Sequence, residues 1–269
     1  MRPYIVDVFM ANDELDLLQM RLEEMDPAVD AFVAVEADVD HQDHPKPYHI
    51  TENRERFAAW SDKLHIVRAS GLPTAQQDGD PWARELAQRE YAVHGLKEIA
   101  RRHDFLTSDI ILHGDLDEIC RPLHIRNVHK AIEHYGTFVT FEQSLHCFAV
   151  DWLHLDPWGG TVAATLRQMD QLGNLKFQKL RNTRNANPSL PDAGWHFSWL
   201  GGQKQAMKKL GSFCHPEIAE RTLVGLQSDR YLTEGLHVDG RKMTPIDVDH
   251  TFPKMLQERR CPDVWWRPR

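Results

Sequence analysis

Asp115-Leu116-Asp117 is the segment best suited to chemistry. Two residues apart on an extended backbone, its carboxylates point to the same side. Oxygen ligands of this kind suit Mg²⁺ or Mn²⁺, which often complete their coordination with substrate phosphates. A cation held there neutralises charge growing on a departing nucleoside diphosphate. The same tripeptide alone is equally a solvated acidic turn, so its surroundings decide. Ile110-Ile111-Leu112 forms a compact apolar strand that delivers the pair, and Glu118 follows at once.

Competing acidic motifs fit less well. A haloacid-dehalogenase phosphatase carries Asp-x-Asp-x-Thr/Val just after its first strand, whereas this motif lies mid-chain and runs into Glu118-Ile119. An EF-hand loop needs a Gly and a later Glu at fixed offsets, and neither is in place. HExxH, P-loop and GxGxxG patterns are missing from the sequence.

The elements that must position this pair alternate. Tyr4 to Phe9 reads as a first strand. Asn12 is expected to cap a helix whose first turn holds Asp13 and Glu14, with Leu15, Leu18, Leu22 and Met25 on its buried stripe and Asp26-Pro27 as its stop. Ala31 to Val35 is a second strand closing on Glu36, and Leu64 to Val67 a third. Asp38 to Tyr48, with Pro45 and Pro47, is a loop, and 70–81 reads as another, mobile one. Trp82 to Arg102 reads as one helix, and Asp109 to Leu112 as the strand before the motif. Strands alternating with helices, with chemistry at a strand's carboxyl end, describe an α/β protein with an open, mostly parallel sheet. Beyond about residue 135 the pattern changes: Thr137 to Phe141 and Ser144 to Val150 read as separate strands. The expectation is one domain over 1–269, with a nucleotide-binding half (about 1–135) and an acceptor-facing half with its tail (about 136–269).

A chain of 269 residues can bury roughly three quarters of its unfolded surface, enough for a core without disulfides or structural metal. Its net charge of -8 argues against a nucleic-acid binder, which normally presents a basic face. Cys120, Cys147, Cys214 and Cys261 lie far apart with no CxxC pair, the pattern of reduced thiols. The N-terminus enters a strand directly, and no apolar stretch approaches the ~20 residues that cross a bilayer. The expectation is a soluble, cytoplasmic protein.

Several separated motifs together resemble the family 17 glycosyltransferases over roughly residues 4 to 218. In the family's order these are Asn12-Asp13-Glu14-Leu15-Asp16-Leu17-Leu18, Val29 to Glu36, Pro45-Lys46-Pro47, Asp115-Leu116-Asp117-Glu118-Ile119 and Ala193-Gly194-Trp195-His196-Phe197-Ser198-Trp199. Lys209-Leu210 and Ser212-Phe213-Cys214-His215 close the series. The resemblance implies a GT-A fold, a metal bound by the Asp pair, a nucleotide-sugar donor (UDP-sugar first, carrying N-acetylglucosamine or another hexose) and inversion at the anomeric carbon. The family's animal members carry an N-terminal membrane anchor that this chain lacks, so a soluble bacterial or viral type is expected.

Roles follow from that frame. The metal ligands are Asp115, Asp117 and, far downstream, His196, with His215 as its rival; the imidazole suits Mn²⁺ better than Mg²⁺. Lys46, Arg84 and Arg89 are candidates to grip the diphosphate. Asn12, Glu14 and Glu36 lie near strand ends where such sheets bind nucleotides, and Asp115 joins them if it touches ribose. The general base is expected to be Glu217, then Asp192, ahead of Glu142 and Glu118. Trp152, Trp158, Trp195 and Trp199 offer flat faces either to sugars or to the core. The acceptor is a glycan or another hydroxyl-bearing molecule, a hydroxylated DNA base among them. On the same acidic pair, a phosphohydrolase, a nucleotidyltransferase or a binding module without turnover are the rivals.

Overall fold

The structure is a computed structural model describing residues 2–74, 82–173, 175–212 and 230–268. In chain order the strands are β1 (Ile5–Met10), β2 (Ala31–Ala37), β3 (Leu64–Ala69), β4 (Ile110–His113), β5 (Glu118–Cys120), β6 (Val139–Cys147), β7 (Trp152–Leu153), β8 (Trp158–Thr165), β9 (Ser189–Ser198) and β10 (Thr244–Pro245). The helices are α1 (Leu15–Met25), α2 (His49–Glu52), α3 (Ala83–Glu90), α4 (Ala92–Ile99), α5 (Pro122–Tyr135), α6 (Leu166–Gln171), α7 (Phe177–Asn182), α8 (Gly202–Ser212), α9 (Arg230–Thr233) and α10 (Lys254–Gln257).

Among the described residues these strands join one mixed sheet, ordered β10-β7-β6-β8-β4-β1-β2-β3, with β9 alongside β6 and β5. The stretch β4-β1-β2-β3 is parallel. Beyond it β8 pairs antiparallel with both β4 and β6. Parallel strands are buried on both faces and so read as continuous apolar runs; Val6, Val8 and Val33 face one core, Ile5, Phe9 and Phe32 the other. The second core includes α1 and α5, the first α4, α6 and α7.

The helix expected over 82–102 is two helices. At Tyr91 the backbone tightens, Tyr91 N donating to Gln88 O at 3.1 Å, an i to i−3 bond that ends the regular ladder. The two strands expected over 137–150 are one, β6, because a register shift at Thr140–Gln143 absorbs polar residues that look like a break. Asn12 is not the N-cap. Helix α1 starts at Leu15 with Glu14 in the capping position and no side-chain cap, while Asn12 N donates to Glu14 Oε2 at 3.3 Å. The loop expected over 70–81 falls largely outside the described residues.

Cys120, Cys147 and Cys261 are free thiols; burial pushes the Cys120 thiol up to about 12. Cys214 lies outside the described residues. The tail is docked, with Trp265 5% exposed in the core. No described helix is long and apolar enough to cross a membrane.

Candidate active site

The Asp115–Asp117 loop leaves the carboxyl end of β4 and is fixed from two sides by arginines. From α1, Arg21 is fully buried and pairs with Asp7 of β1 at 2.7 Å. Its Nη1 donates to Asp115 O at 2.9 Å and Glu118 O at 2.7 Å, so the guanidinium holds the loop's backbone. From α7, Arg181 holds the loop's side chains. Nη2 contacts Asp115 Oδ2 and Glu118 Oε1, both at 2.6 Å, and Nη1 reaches Glu118 Oε2 at 2.8 Å. Helix α7 is in turn capped by Glu90 of α3, which accepts from Phe177 N and Gln178 N at 3.4 and 3.2 Å. Gly114 leaves the room this packing needs: a Cβ there would lie 2.4 Å from Thr161 Oγ1 and 2.7 Å from Glu118 Oε2.

Arg89 of α3 approaches the other oxygen of Asp115, at 3.2 Å from Oδ1, and also binds Glu85 at 2.7 Å. His113 accepts from Arg89 Nη1 through Nε2 at 3.2 Å and donates through Nδ1 to Val8 O at 3.0 Å. That tautomer agrees with a pKa pushed well down, by burial first and then by Arg89 and Arg181. Burial raises the Asp115 pKa, but Arg181 and Arg89 outweigh it and hold the carboxyl well below the usual range.

His196 reaches the pair through strand pairing. Strand β5 runs antiparallel to β9 with Glu118 opposite His196, and Phe197 N donates to Asp117 O at 2.8 Å. Gly194 makes that approach possible, since a Cβ there would sit 2.2 Å from Ile119 O. His196 Nε2 lies 3.3 Å from Asp117 Oδ1, and Lys209 Nζ of α8 lies 3.2 Å from Oδ2. Burial again raises the Asp117 pKa, and Lys209 and His196 overcome it, leaving the carboxyl well below its usual range. His196 Nδ1 is buried with no hydrogen-bond partner. A buried imidazole with an unclaimed nitrogen beside an ionised carboxylate is a nitrogen–oxygen donor set of the kind a divalent transition ion takes.

These groups share a cleft of about 940 Å³. Asn12, Glu14, Lys46, Arg89, Asp115, Asp117 and His196 all line it. Lys46 Nζ and Asn12 Oδ1 are buried there without hydrogen-bond partners. Burial lowers the Lys46 ammonium pKa and raises that of the Glu14 carboxyl. Trp158 and Trp199 are also on the wall. Trp195 is core, and Trp152 is buried with Nε1 donating to Leu232 O at 2.9 Å.

Three expected site residues sit elsewhere. Glu36 is fully buried and accepts from Ile50 N at 2.8 Å and Thr51 N at 3.0 Å, so its charge caps α2 and it is off the cleft wall. Arg84 pairs with Asp43 at 2.6 Å and donates to Asp40 O at 3.0 Å, tying down the 38–48 loop without lining the cleft. Asp192 is 78% exposed and paired with Arg121 at 2.9 Å, also off the wall. Glu217, with His215, lies outside the described residues. Glu118 is fully buried and saturated by Arg181, Trp158 Nε1 at 2.7 Å and Asp115 N at 3.1 Å.

Sequence reasoning missed Arg21, Arg181 and any role for Lys209. Arg21 carries a faint signal, a cation on the buried stripe of α1 between Leu18 and Met25, with the buried-strand Asp7 as its counterpart. Arg181, in Phe177-Gln178-Lys179-Leu180-Arg181, carries none.

A profile described as "Glycosyltransferase family 17" matches residues 1–232. The chain belongs to glycosyltransferase family 17. The family 17 enzyme has the α/β architecture expected of it, a mostly parallel sheet flanked by helices. No curated protein matches it. Among solved structures, it aligns with TarS 1-349 of S. aureus at 10% identity and TM-score 0.41, covering 85% of this chain and 72% of that one. It also aligns with the 4-diphosphocytidyl-2C-methyl-D-erythritol synthase of Anaerococcus prevotii at 11% identity and TM-score 0.38, covering 74% and 89%.

Proposed function

We propose that this glycosyltransferase takes a nucleoside-diphosphate sugar, a UDP-sugar first, and transfers its hexose or N-acetylhexosamine to an acceptor hydroxyl with inversion. One observation carries the reading. Asp117, His196, Lys209, Lys46 and Arg89 meet in one cleft at the carboxyl ends of β1 and β4, where open α/β sheets bind their ligands.

In this reading Asp117 and His196 hold Mn²⁺ (or Mg²⁺), with Asp115 close by. The cation's chemistry is Lewis-acid neutralisation of the leaving diphosphate. The chain's residues do the rest. Arg181 and Arg21 hold the loop in place before substrate arrives, so little reorganisation remains. Lys209 and Lys46 supply positive charge to the phosphates, and Arg89 does so from beside Asp115. Trp158 and Trp199 offer apolar faces to a sugar ring. Glu217 takes the acceptor proton; Asp192, paired off the cleft with Arg121, is the second choice.

The test is a thermal-shift screen of nucleotide sugars with and without Mn²⁺, followed by a transfer assay. A true donor at a hundred times its dissociation constant stabilises by about 2.7 kcal/mol, and only with the metal. Asp117→Ala should lose both the shift and transfer while keeping its far-UV spectrum. Full transfer by that variant, or phosphate release with no sugar transferred, overturns the proposal.

A further inference from the structure

A second cluster of metal-ligating side chains stands beside the cleft and shares no residue with the Asp115–Asp117 loop. His154 follows β7 and is 4% exposed. His237 and Asp239 come from a turn more than eighty residues later, closed by the Leu236–Lys242 bridge and by Gly240 N donating to His237 O at 2.9 Å. The two imidazole rings are 4.5 Å apart. His237 Nδ1 lies 3.0 Å from Asp239 Oδ1, and His154 Nε2 lies 3.4 Å from Asp239 Oδ2. One ligand atom from each residue falls within 4.8 Å of the other two, an arrangement found at no other group of three among the described residues.

One further observation points to a ligand. His154 Nε2 is buried and makes no hydrogen bond, whereas Nδ1 accepts from Asp156 N at 3.2 Å and lies 3.3 Å from Asp156 O. The orphaned Nε2 faces Asp239 Oδ2. Arg241 binds Asp239 Oδ2 through Nε at 2.8 Å and is shared with Asp156, which fixes the Asp239 carboxylate in place.

We infer that His154, His237 and Asp239 form a binding site for a zinc-class divalent ion that pins the 236–242 turn to the β7 edge. Two imidazoles and one carboxylate suit Zn²⁺ or Co²⁺ and leave one position for water, whereas Mg²⁺ and Ca²⁺ favour oxygen-only shells. Because His237 and Val238 also line the cleft, the ion would hold that wall in place. The inference does not rest on the donor-site reading.

The experiment is Co²⁺ titration of the full chain after chelator treatment, followed by visible absorption. Wild type should bind Co²⁺ with the intense bands of a four-coordinate site, displaced by Zn²⁺. Asp117→Ala should keep those bands, since it removes the donor-site carboxylate alone. Asp239→Asn, at the solvent-facing ligand, should weaken Co²⁺ at least tenfold, and His154→Gln should abolish the bands. Lack of four-coordinate bands in wild type, or bands lost in Asp117→Ala and unchanged in Asp239→Asn, overturns the site.

Discussion

Replacing Arg181 with Met should cost the protein about 4 kcal/mol, from the uncovering of a buried charge. The Glu118 carboxylate is fully buried and accepts four hydrogen bonds, two of them from Arg181 at 2.6 and 2.8 Å. Trp158 Nε1 and Asp115 N, both neutral, supply the other two. Met fills a similar volume but removes the one cation that, among the described residues, pairs with Glu118, and breaking a buried ion pair from one side costs roughly 3–5 kcal/mol. Set against the 5–15 kcal/mol of a typical domain, such a loss shows plainly as a lower urea midpoint at neutral pH. The decisive comparison is the double variant Arg181→Met with Glu118→Gln. Glutamine keeps an acceptor for Trp158 Nε1 and removes the stranded charge, so the pair should regain about 2 kcal/mol over Arg181→Met alone, a coupling well above the ~0.5 kcal/mol of independent sites. Transfer should stay at least tenfold down in both, because Asp115 has lost its 2.6 Å contact with Arg181. If the two losses simply add, charge desolvation is not what Arg181 offsets. If the double variant recovers full transfer, Arg181 does not position Asp115.

Other outcomes test other parts of the structure. Buried His146 has its pKa depressed by burial to about 3, so it stays neutral in the fold while the unfolded chain binds a proton below pH ~6.5. Stability should therefore fall as pH drops from 6.5 toward 3; at pH 4.5 this one group accounts for about 3 kcal/mol, and His146→Gln should show an acid slope shallower by one proton in urea titrations. Gly194→Ala drives a Cβ toward Ile119 O; it should destabilise by about 1–3 kcal/mol and lower transfer by displacing His196 from Asp117. Lys46→Met should raise the donor KM about tenfold with little effect on unfolding, since its ammonium is buried at the cleft without a partner; an unchanged KM would remove it from the donor site. Glu217→Gln should lower kcat by a hundredfold or more and leave the donor KM near wild type, and an unchanged kcat would exclude it as the base.

What was legible in the sequence was what local patterning encodes. The apolar runs at Ile5–Met10, Ala31–Ala37 and Ile110–His113 became the parallel stretch of the sheet, because strands covered on both faces leave an unbroken apolar signature. The ordered motifs brought Asn12, Glu14, Lys46, Asp115, Asp117 and His196 to one cleft, although nearly two hundred positions separate the first from the last. Glu36 looked like a site residue because it stands beside a strand end, and Arg84 because an arginine can grip a diphosphate. Both instead satisfy local backbone, Glu36 the open amides of α2 and Arg84 the carbonyls of Pro73 and Asp40. Which of these a buried charge does depends on the path of a loop, and loop paths have no periodicity to read.

Arg181 was illegible and Arg21 nearly so for a related reason, and they make the site what it is. An acidic pair followed by Glu118 in a buried loop would repel itself and take up protons, since burial raises a carboxylate's pKa. Here the opposite holds: Asp115 and Asp117 are both held well below the usual range. The compensating charge arrives from three separate helices. Arg89 comes on α3, Arg181 on α7 and Lys209 on α8. Only the three-dimensional arrangement makes these cations neighbours of the acids. The division of labour follows from their contacts. Arg21 is consumed by Asp7 and backbone carbonyls and Arg181 by Glu118, Gly160 O and Asp115, so they act as scaffold. Lys209 and Arg89 each reach an Asp from the cleft wall. The acidic motif locates the site, and the cations around it keep its two Asp carboxylates ionised.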